Sequence, residues 1–369
     1  MESNQDIANL QPSESDLRFN SAIKIFQGES NPQRLKEWLT GINIPPTHVE
    51  IHMTNRCNNH CDQCIGGRTD EADLTNPLKV IDELAAEGTK ALLFCGGGEP
   101  LLNPYTPKAI EYAKSKNIDV GLVSNGSISF TDEKYQSILR SCSFFRVSLD
   151  AGDPNGYLYS HGMPPEAFWK TVNNIKRIAT QKQQLNTTCS FGVGYLTNES
   201  TKPGMQKFVE LLKDVPGIDF LQFRPFRNDD TDISSELIKC ADMVTSKSLK
   251  ILASTRYQNP THPRLKCLSP YFETLIAANG KAYICSHHIG DSLYQIGDIT
   301  KESFHDMWSG QARKAIIDQA RQDKCPTDCK WLNLNKLLNE AQGEGWQPED
   351  IDALAAPYQN QPNPHANFL

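Results

Sequence analysis

The feature that most constrains this chain is the spacing Cys57-x3-Cys61-x2-Cys64, placed in a polar stretch directly after the apolar run at 49–53. Three thiolates at this spacing can wrap one face of an iron–sulfur cube. Such cubes ordinarily take four cysteine ligands, so a loop that supplies three leaves one iron open to a substrate. His60 raises a rival reading, because three cysteines and a histidine are also a zinc set. It stands directly beside Cys61, which makes it hard for both side chains to reach one ion from so short a loop.

Composition narrows the setting. The chain has 369 residues, 38% hydrophobic and 22% charged, enough for one large domain and a smaller one with a substantial core. A net charge of −7 gives no basic footprint for nucleic acid. No run reaches the roughly 18 apolar residues of a membrane span, and the polar start has no hydrophobic signal core. These features predict a cytoplasmic protein without a nucleic-acid or membrane partner. There are 11 cysteines, which in such a setting argues for metal binding rather than disulfides. Cys95, Cys142, Cys189 and Cys240 are isolated and read by default as small buried hydrophobes.

Along the chain, helix candidates at 16–26 and 32–40 make an N-terminal extension. From residue 49, strand-like runs at 49–53, 91–94, 120–124, 144–149, 190–196 and 220–224 alternate with stretches of helical spacing, the last of these at 235–253. Short apolar runs rich in β-branched and aromatic residues suit buried parallel strands. Six β/α units in succession imply a parallel sheet that curls toward a barrel. In barrels the chemistry sits at the carboxyl ends of the strands. Those ends carry Cys95-Gly96-Gly97-Gly98-Glu99-Pro100 after the second strand, Ser124-Asn125-Gly126 after the third, Ser148-Leu149-Asp150 after the fourth and Arg224 after the sixth.

The cysteine loop and the glycine-rich motif one unit later resemble the radical S-adenosylmethionine (radical SAM) enzymes. The resemblance implies a partial (β/α)6 TIM-like barrel, which the unit count matches. It implies that SAM chelates the open iron, and that one electron cleaves it to methionine and a 5′-deoxyadenosyl radical. It assigns the cluster to Cys57, Cys61 and Cys64. It gives the SAM amino group to Gly97, Gly98 and Glu99, and the methionine and ribose contacts to Ser124, Asn125, Ser148 and Asp150. Arg224 joins this cofactor-binding group as a candidate partner for a carboxylate. Gln63 stands where many members of the family have an aromatic residue.

A second set of thiols follows the barrel. Residues 274–277 and 281–284 around Asn279-Gly280 have the pattern of a hairpin with a type I′ turn, which would bring Cys267 and Cys285 together. Cys325 and Cys329 complete a closed set of four. This arrangement resembles the SPASM/twitch extensions of radical SAM enzymes, implying an auxiliary 4Fe–4S cluster, with structural zinc as the alternative. The expected organisation is therefore α/β, a partial barrel followed by a small β-hairpin/helix auxiliary-cluster domain. Residues 1–46 form the extension, 47–258 the barrel, 259–335 the auxiliary domain and 336–369 a tail laid along the surface.

The expected function is that of a radical SAM oxidoreductase which abstracts a hydrogen atom, most simply a dehydrogenase of a sugar or cyclitol. An epimerase or peptide-modifying enzyme is the alternative, and an iron–sulfur electron-transfer or zinc protein the non-enzymatic one. A flavodoxin- or ferredoxin-type donor would reduce the cluster. Cys95 is the candidate hydrogen donor, being the isolated thiol at the carboxyl end of a strand.

Overall fold

The computed structural model describes residues 22–64, 71–227, 229–254, 265–320, 329–359 and 363–369. Strands β1 (His48–Ile51), β2 (Ala91–Phe94), β3 (Asp119–Ser124), β4 (Phe144–Ser148), β5 (Ser190–Thr197) and β6 (Phe220–Pro225) fall on the apolar runs. Between them run helices whose apolar stripes face the sheet. The helix Pro77–Ala86 buries Val80, Ile81 and Leu84, and the helix Pro165–Leu185 buries Phe168, Val172, Ile175 and Ile178. Proline at the first helical position starts both without the loss of a needed N–H. Adjacent strands from β1 to β6 are parallel, and the sheet does not close.

The stretch 235–253 is not one helix. A helix covers Ser234–Asp242, and Lys250–Ala253 forms a further strand, β7, parallel to β6. The four-residue strand is too short for its period to be separated from a helical one in sequence. At the amino end, the expected helix at 16–26 lies partly outside the described residues. Ala22–Phe26 is a 3-10 turn, and the second helix covers Asn31–Leu39.

The expected hairpin forms from β8 (Glu273–Ile276) and β9 (Lys281–Tyr283), followed by β10 (Gln295–Asp298). Its turn is not type I′. Gly280 donates its N–H to the Ala277 carbonyl at 2.9 Å, and Gly280 has φ +81° while neither Ala278 nor Asn279 has a positive φ. A type I′ turn needs both central residues left-handed, so this is a type I-like turn followed by a left-handed glycine. On its outer side β8 pairs in parallel with β1, His48 opposite Glu273, so the hairpin extends the barrel's own sheet.

The carboxyl-terminal segment is not a surface tail. Beyond the helix Pro348–Ala355, residues 363–369 pack into the open end of the barrel, against the starts of the strands. The Phe368 ring lies 4.9 Å from that of Phe144 and 5.8 Å from that of His48. His365 Nε2 bonds Ser190 Oγ at 3.0 Å, and Asn367 donates to Asp119 at 2.8 Å. The buried Lys24 donates to the Phe368 carbonyl at 2.7 Å.

His48 and His365 are both buried, and burial pushes each imidazole down to about 3. In the unfolded chain these rings titrate near 6.5, so below that pH the unfolded state binds more protons. Stability therefore falls as pH drops from about 6.5 towards 3, by up to about 1.4 kcal/mol per pH unit for each ring. Anaerobic urea unfolding between pH 7 and pH 5 checks this. A His365→Gln variant should show a shallower pH slope, and identical slopes would contradict the burial of a neutral ring there.

Candidate cofactor and substrate site

The cysteine loop leaves β1 at the carboxyl end of the sheet. Cys57 and Cys61 are partly exposed and Cys64 is exposed, as ligands to a group that solvent and substrate must reach. The Asn59 N–H points at Cys57 Sγ at 3.4 Å, and His161 Nδ1 lies 3.2 Å from Cys61 Sγ. The loop is held from two sides. His60 N–H donates to the His161 carbonyl at 2.8 Å, while Gly98 and Glu99 donate theirs to the Thr54 and Arg56 carbonyls at 2.7 and 2.9 Å. A Cβ on Gly98 would lie 1.9 Å from the Arg56 carbonyl oxygen, so glycine is required here for backbone to meet backbone.

Glu99 is buried and hydrogen-bonded by protein. Its carboxylate accepts from Ser124 Oγ at 2.7 Å, Asn125 N–H at 2.7 Å and Leu101 N–H at 3.1 Å. Burial raises its pKa, against the pull of these bonds. The residue thus ties the glycine loop to the end of β3. Asn125 in turn donates to Asn58 Oδ1 at 2.9 Å, reaching back to the cysteine loop. At the end of β4, Asp150 is buried and left-handed, with φ +48°. Asp150 lies 3.8 Å from His161 Nε2 and 3.6 Å from Arg224 Nη2. A non-glycine residue held in this region is strained, and such positions cluster at ligand sites. The strand-end residues Gly97, Gly98, Glu99, Ser124, Asn125 and Asp150 are therefore joined to the cysteine loop directly or through one neighbour, and Ser148 precedes Asp150 on the same strand.

The second set of thiols is a separate, buried group. Cys267, Cys285 and Cys329 are 6%, 6% and 7% exposed, and Cys325 lies outside the described residues. Burial pushes the Cys285 thiol up, and the charges of Glu273, Cys267 and Cys329 push it further, so the sulfurs are close enough to act on one another. Asn335, fully buried, accepts from Leu268 N–H at 2.6 Å and Ser269 N–H at 2.8 Å. That clamp fixes the Cys267 loop to the helix Leu332–Gly343, which starts three residues after Cys329. A buried Cys285 that is hard to ionise alone, with two more buried cysteines acting on it, fits a metal centre, whose positive charge reverses that penalty.

Between the two sets lies a cavity of about 340 Å³ inside the barrel. Its wall includes Cys95, Gly96 and Gly97, and Ser286, His287 and Lys330. Lys330, partly buried, pairs with the buried Glu50. Burial alone would push its ammonium down, but Glu50 and Glu273 outweigh it and hold the pKa above the ordinary value. Donor atoms of Glu50, His52 and Cys95 all lie within 4.8 Å of one another. Lys330 already supplies the positive charge this group needs. His52 is pushed down to about 4 by burial, and its Nδ1 makes no hydrogen bond.

Sequence reading missed Glu50, His52, Arg146, Gln222 and Lys330 as cavity residues. A signal was present in His48-x-Glu50-x-His52, an ionisable residue at every second position of a buried strand, which aims all three at one face. Cys142, Cys189 and Cys240 are buried as expected, whereas Cys95 reaches the cavity.

An open β/α barrel with a three-cysteine loop at its mouth and a buried thiol set beside it defines an iron–sulfur enzyme of the radical type. The chain belongs to the radical SAM superfamily, which residues 51–203 match, and residues 267–330 match the SPASM iron–sulfur cluster-binding domain. The cofactors of this architecture are a SAM-binding 4Fe–4S cluster, an auxiliary cluster and SAM. The chain is 31% identical over 114 residues to an S-adenosylmethionine-dependent nucleotide dehydratase of Lacinutrix mariniflava, covering 28% of this chain and 24% of that protein. It is 27% identical over 225 residues to a GTP 3',8-cyclase of Staphylococcus aureus, covering 54% and 61%. In both cases it spans less than two thirds of the relative. Its fold is similar to that of Streptococcus suis SuiB bound to precursor peptide SuiA, with a TM-score of 0.61 at 12% identity over 86% of this chain and 77% of that one. Among the described residues no helix is long and apolar enough to cross a membrane.

Because Gly98 meets the Arg56 carbonyl directly, Gly98→Ala should displace the cysteine loop and leave the second site untouched. Anaerobically reconstituted protein should hold about eight irons per chain, falling to about four in this variant and in a Cys57, Cys61 and Cys64 to Ala variant. Iron analysis with electron paramagnetic resonance checks this. Stoichiometric zinc in place of iron would contradict the assignment.

Proposed function

We propose that this enzyme oxidises a small molecule held in the barrel cavity, by removal of a hydrogen atom, an electron and a proton from a carbinol. When bound, the first cluster with SAM supplies a hydrogen-abstracting radical, and the auxiliary cluster an electron acceptor. The observation that carries this reading is the lining of the cavity. Gly96 and Gly97, beside the cysteine loop, line it together with Ser286 and Lys330, which directly follow Cys285 and Cys329. A molecule there touches the immediate neighbours of both thiol sets. At about 340 Å³ the cavity is near the lower end for small-molecule sites, which favours a sugar or cyclitol over a bulky ligand.

The chain's own groups have defined tasks in this reading. His52, kept neutral by burial, lines the cavity with an Nδ1 that makes no hydrogen bond within the protein and can orient a substrate hydroxyl by making one. The Lys330–Glu50 pair fixes the wall next to Cys329. Ser148 and Asp150, at the end of β4, lie where SAM would be held, with the Glu99–Ser124–Asn125 network keeping the mouth in place. A flavodoxin- or ferredoxin-type protein would deliver the initiating electron, and the cytoplasm suits such a donor.

One observation favours a second reading. Cys95 lines the cavity, and burial pushes its thiol well above the ordinary value, which keeps it as the S–H that a hydrogen-atom donor needs. Return of a hydrogen atom from Cys95, with one electron from the flavodoxin- or ferredoxin-type donor and one proton from solvent restoring its thiol, would make the reaction an epimerisation with no net oxidation of the substrate.

The two readings separate in deuterated water. A set of polyols and sugars is incubated with reduced enzyme and SAM, and 5′-deoxyadenosine and products are followed by mass spectrometry. Oxidation predicts a product lighter by two hydrogens, lost when Cys267 and Cys329 are changed to Ala while reductant-dependent SAM cleavage survives. A product of unchanged hydrogen count that carries solvent deuterium, and that disappears in Cys95→Ala, would overturn oxidation in favour of epimerisation.

A further inference from the structure

The cavity has a floor that the barrel strands do not supply. Its lining runs from His48 and Phe144, the first residues of β1 and β4, to Gly97, beyond the end of β2, and Pro225, the last residue of β6. His48 and His52 both line it and are four residues apart along β1 and its continuation, about 13 Å of extended chain. The strand ends that would hold SAM stand at one end of this depth. At the other end the strand starts are bridged by Phe368, from the carboxyl-terminal segment.

The Phe368 ring lies 5.8 Å from that of His48 and 4.9 Å from that of Phe144, edge-on to both. With Phe144 and Ala91, the first residue of β2, it forms an apolar cluster separate from the main core, and Leu93 and Val123 pack against it. Leu93, Val123, Phe144 and Phe368 all line the cavity, and Leu369 follows them in the lining. Phe144 can lie across β3 only because residue 121 is glycine, since a Cβ there would be 2.5 Å from its ring.

The segment that presents Phe368 is braced. Lys24 donates to the Phe368 carbonyl at 2.7 Å, Asn31 to the Ala366 carbonyl at 3.0 Å and Asn367 to Asp119 at 2.8 Å. The Phe368 N–H turns back to the His365 carbonyl at 3.1 Å. Lys24 and Asn31 are both buried, so water does not compete for their bonds. An aromatic ring held this firmly bounds the length of whatever enters from the strand ends. It also favours C–H over hydroxyl, because a hydroxyl pressed on the ring loses water without gaining a partner.

We propose that Phe368 is the specificity-determining floor of the substrate cavity, setting how far the substrate extends from its reacting carbon and taking an apolar end of it. This rests on the reading of the cavity as the substrate site. It narrows the substrate to an elongated molecule, hydroxylated at the reacting carbinol and deoxy or alkyl at its far end.

The test is an equilibrium titration and requires no turnover. Reconstituted holoenzyme with SAM is titrated calorimetrically with 1,2-alkanediols from propane-1,2-diol to decane-1,2-diol, with alditols of matching length as polar controls. In wild type, affinity should rise about fourfold for each methylene buried, then stop rising at the length that meets Phe368. In Phe368→Ala that break should move to a longer chain, and in Phe368→Trp to a shorter one. A purely structural role would weaken all lengths alike. The same break in all three proteins, alditols binding more tightly than diols of equal length, or no saturable binding to wild type overturns the proposal. Should Phe368→Ala fail to hold its iron, a wild-type crystal soaked in hexane-1,2-diol decides. An alkyl tail packed on the Phe368 ring supports the floor, and density only elsewhere, or none, overturns it. Because binding is read without oxidation, failure of the oxidation assay leaves this result standing, and failure here leaves oxidation of a fully hydroxylated substrate open.

Discussion

The parallel pairing of β8 with β1 is the contact on which the rest of the site depends. β1 carries the cysteine loop at its end and His48, Glu50 and His52 on its inner face, and it is bonded to β2 on one side and β8 on the other. Through β8 the second thiol set becomes part of the barrel wall rather than a separate lobe. Register then does the positioning. His48 opposite Glu273 places a buried carboxylate between the strand and the Cys285 thiol, and brings Lys330 within reach of Glu50.

That buried charge group is specific rather than strongly stabilising. Two carboxylates, Glu50 and Glu273, share one ammonium. Burial raises Glu273 well above the ordinary carboxylate value, whereas for Glu50 the Lys330 ammonium outweighs burial and holds it below that value. Removing ions from water costs about as much as their attraction returns, so such a pair is better understood as fixing geometry. Here it fixes the position of the residue next to Cys329 relative to the strand that bears the first cluster loop.

Much of the barrel was legible because a buried parallel strand must be a short apolar run and its covering helix must show a stripe. The six predicted strands fall within two residues of β1 to β6. β7 was lost because Leu249 to Ala253 carries too few residues to show a period, and the preceding helical pattern absorbed it. The closing role of the carboxyl-terminal segment was hidden for a different reason. Its Pro, Asn and Ala look solvated, and Phe368 and Leu369 are buried only because the strand starts leave an opening of their size.

What the sequence determined by itself is the chemistry of short spacing: the three-thiol loop, the glycine loop after β2 and the polar strand ends. Each of these works through neighbours a few residues away, so local order contains the information. The substrate cavity was decided by tertiary structure alone. Arg146, Gln222, Glu50, His52 and Lys330 come from strands and loops far apart in sequence, and each is unremarkable alone. They face one another only because the pleat aims alternate residues inward and the curl of the sheet closes the distance between β1, β4 and β6.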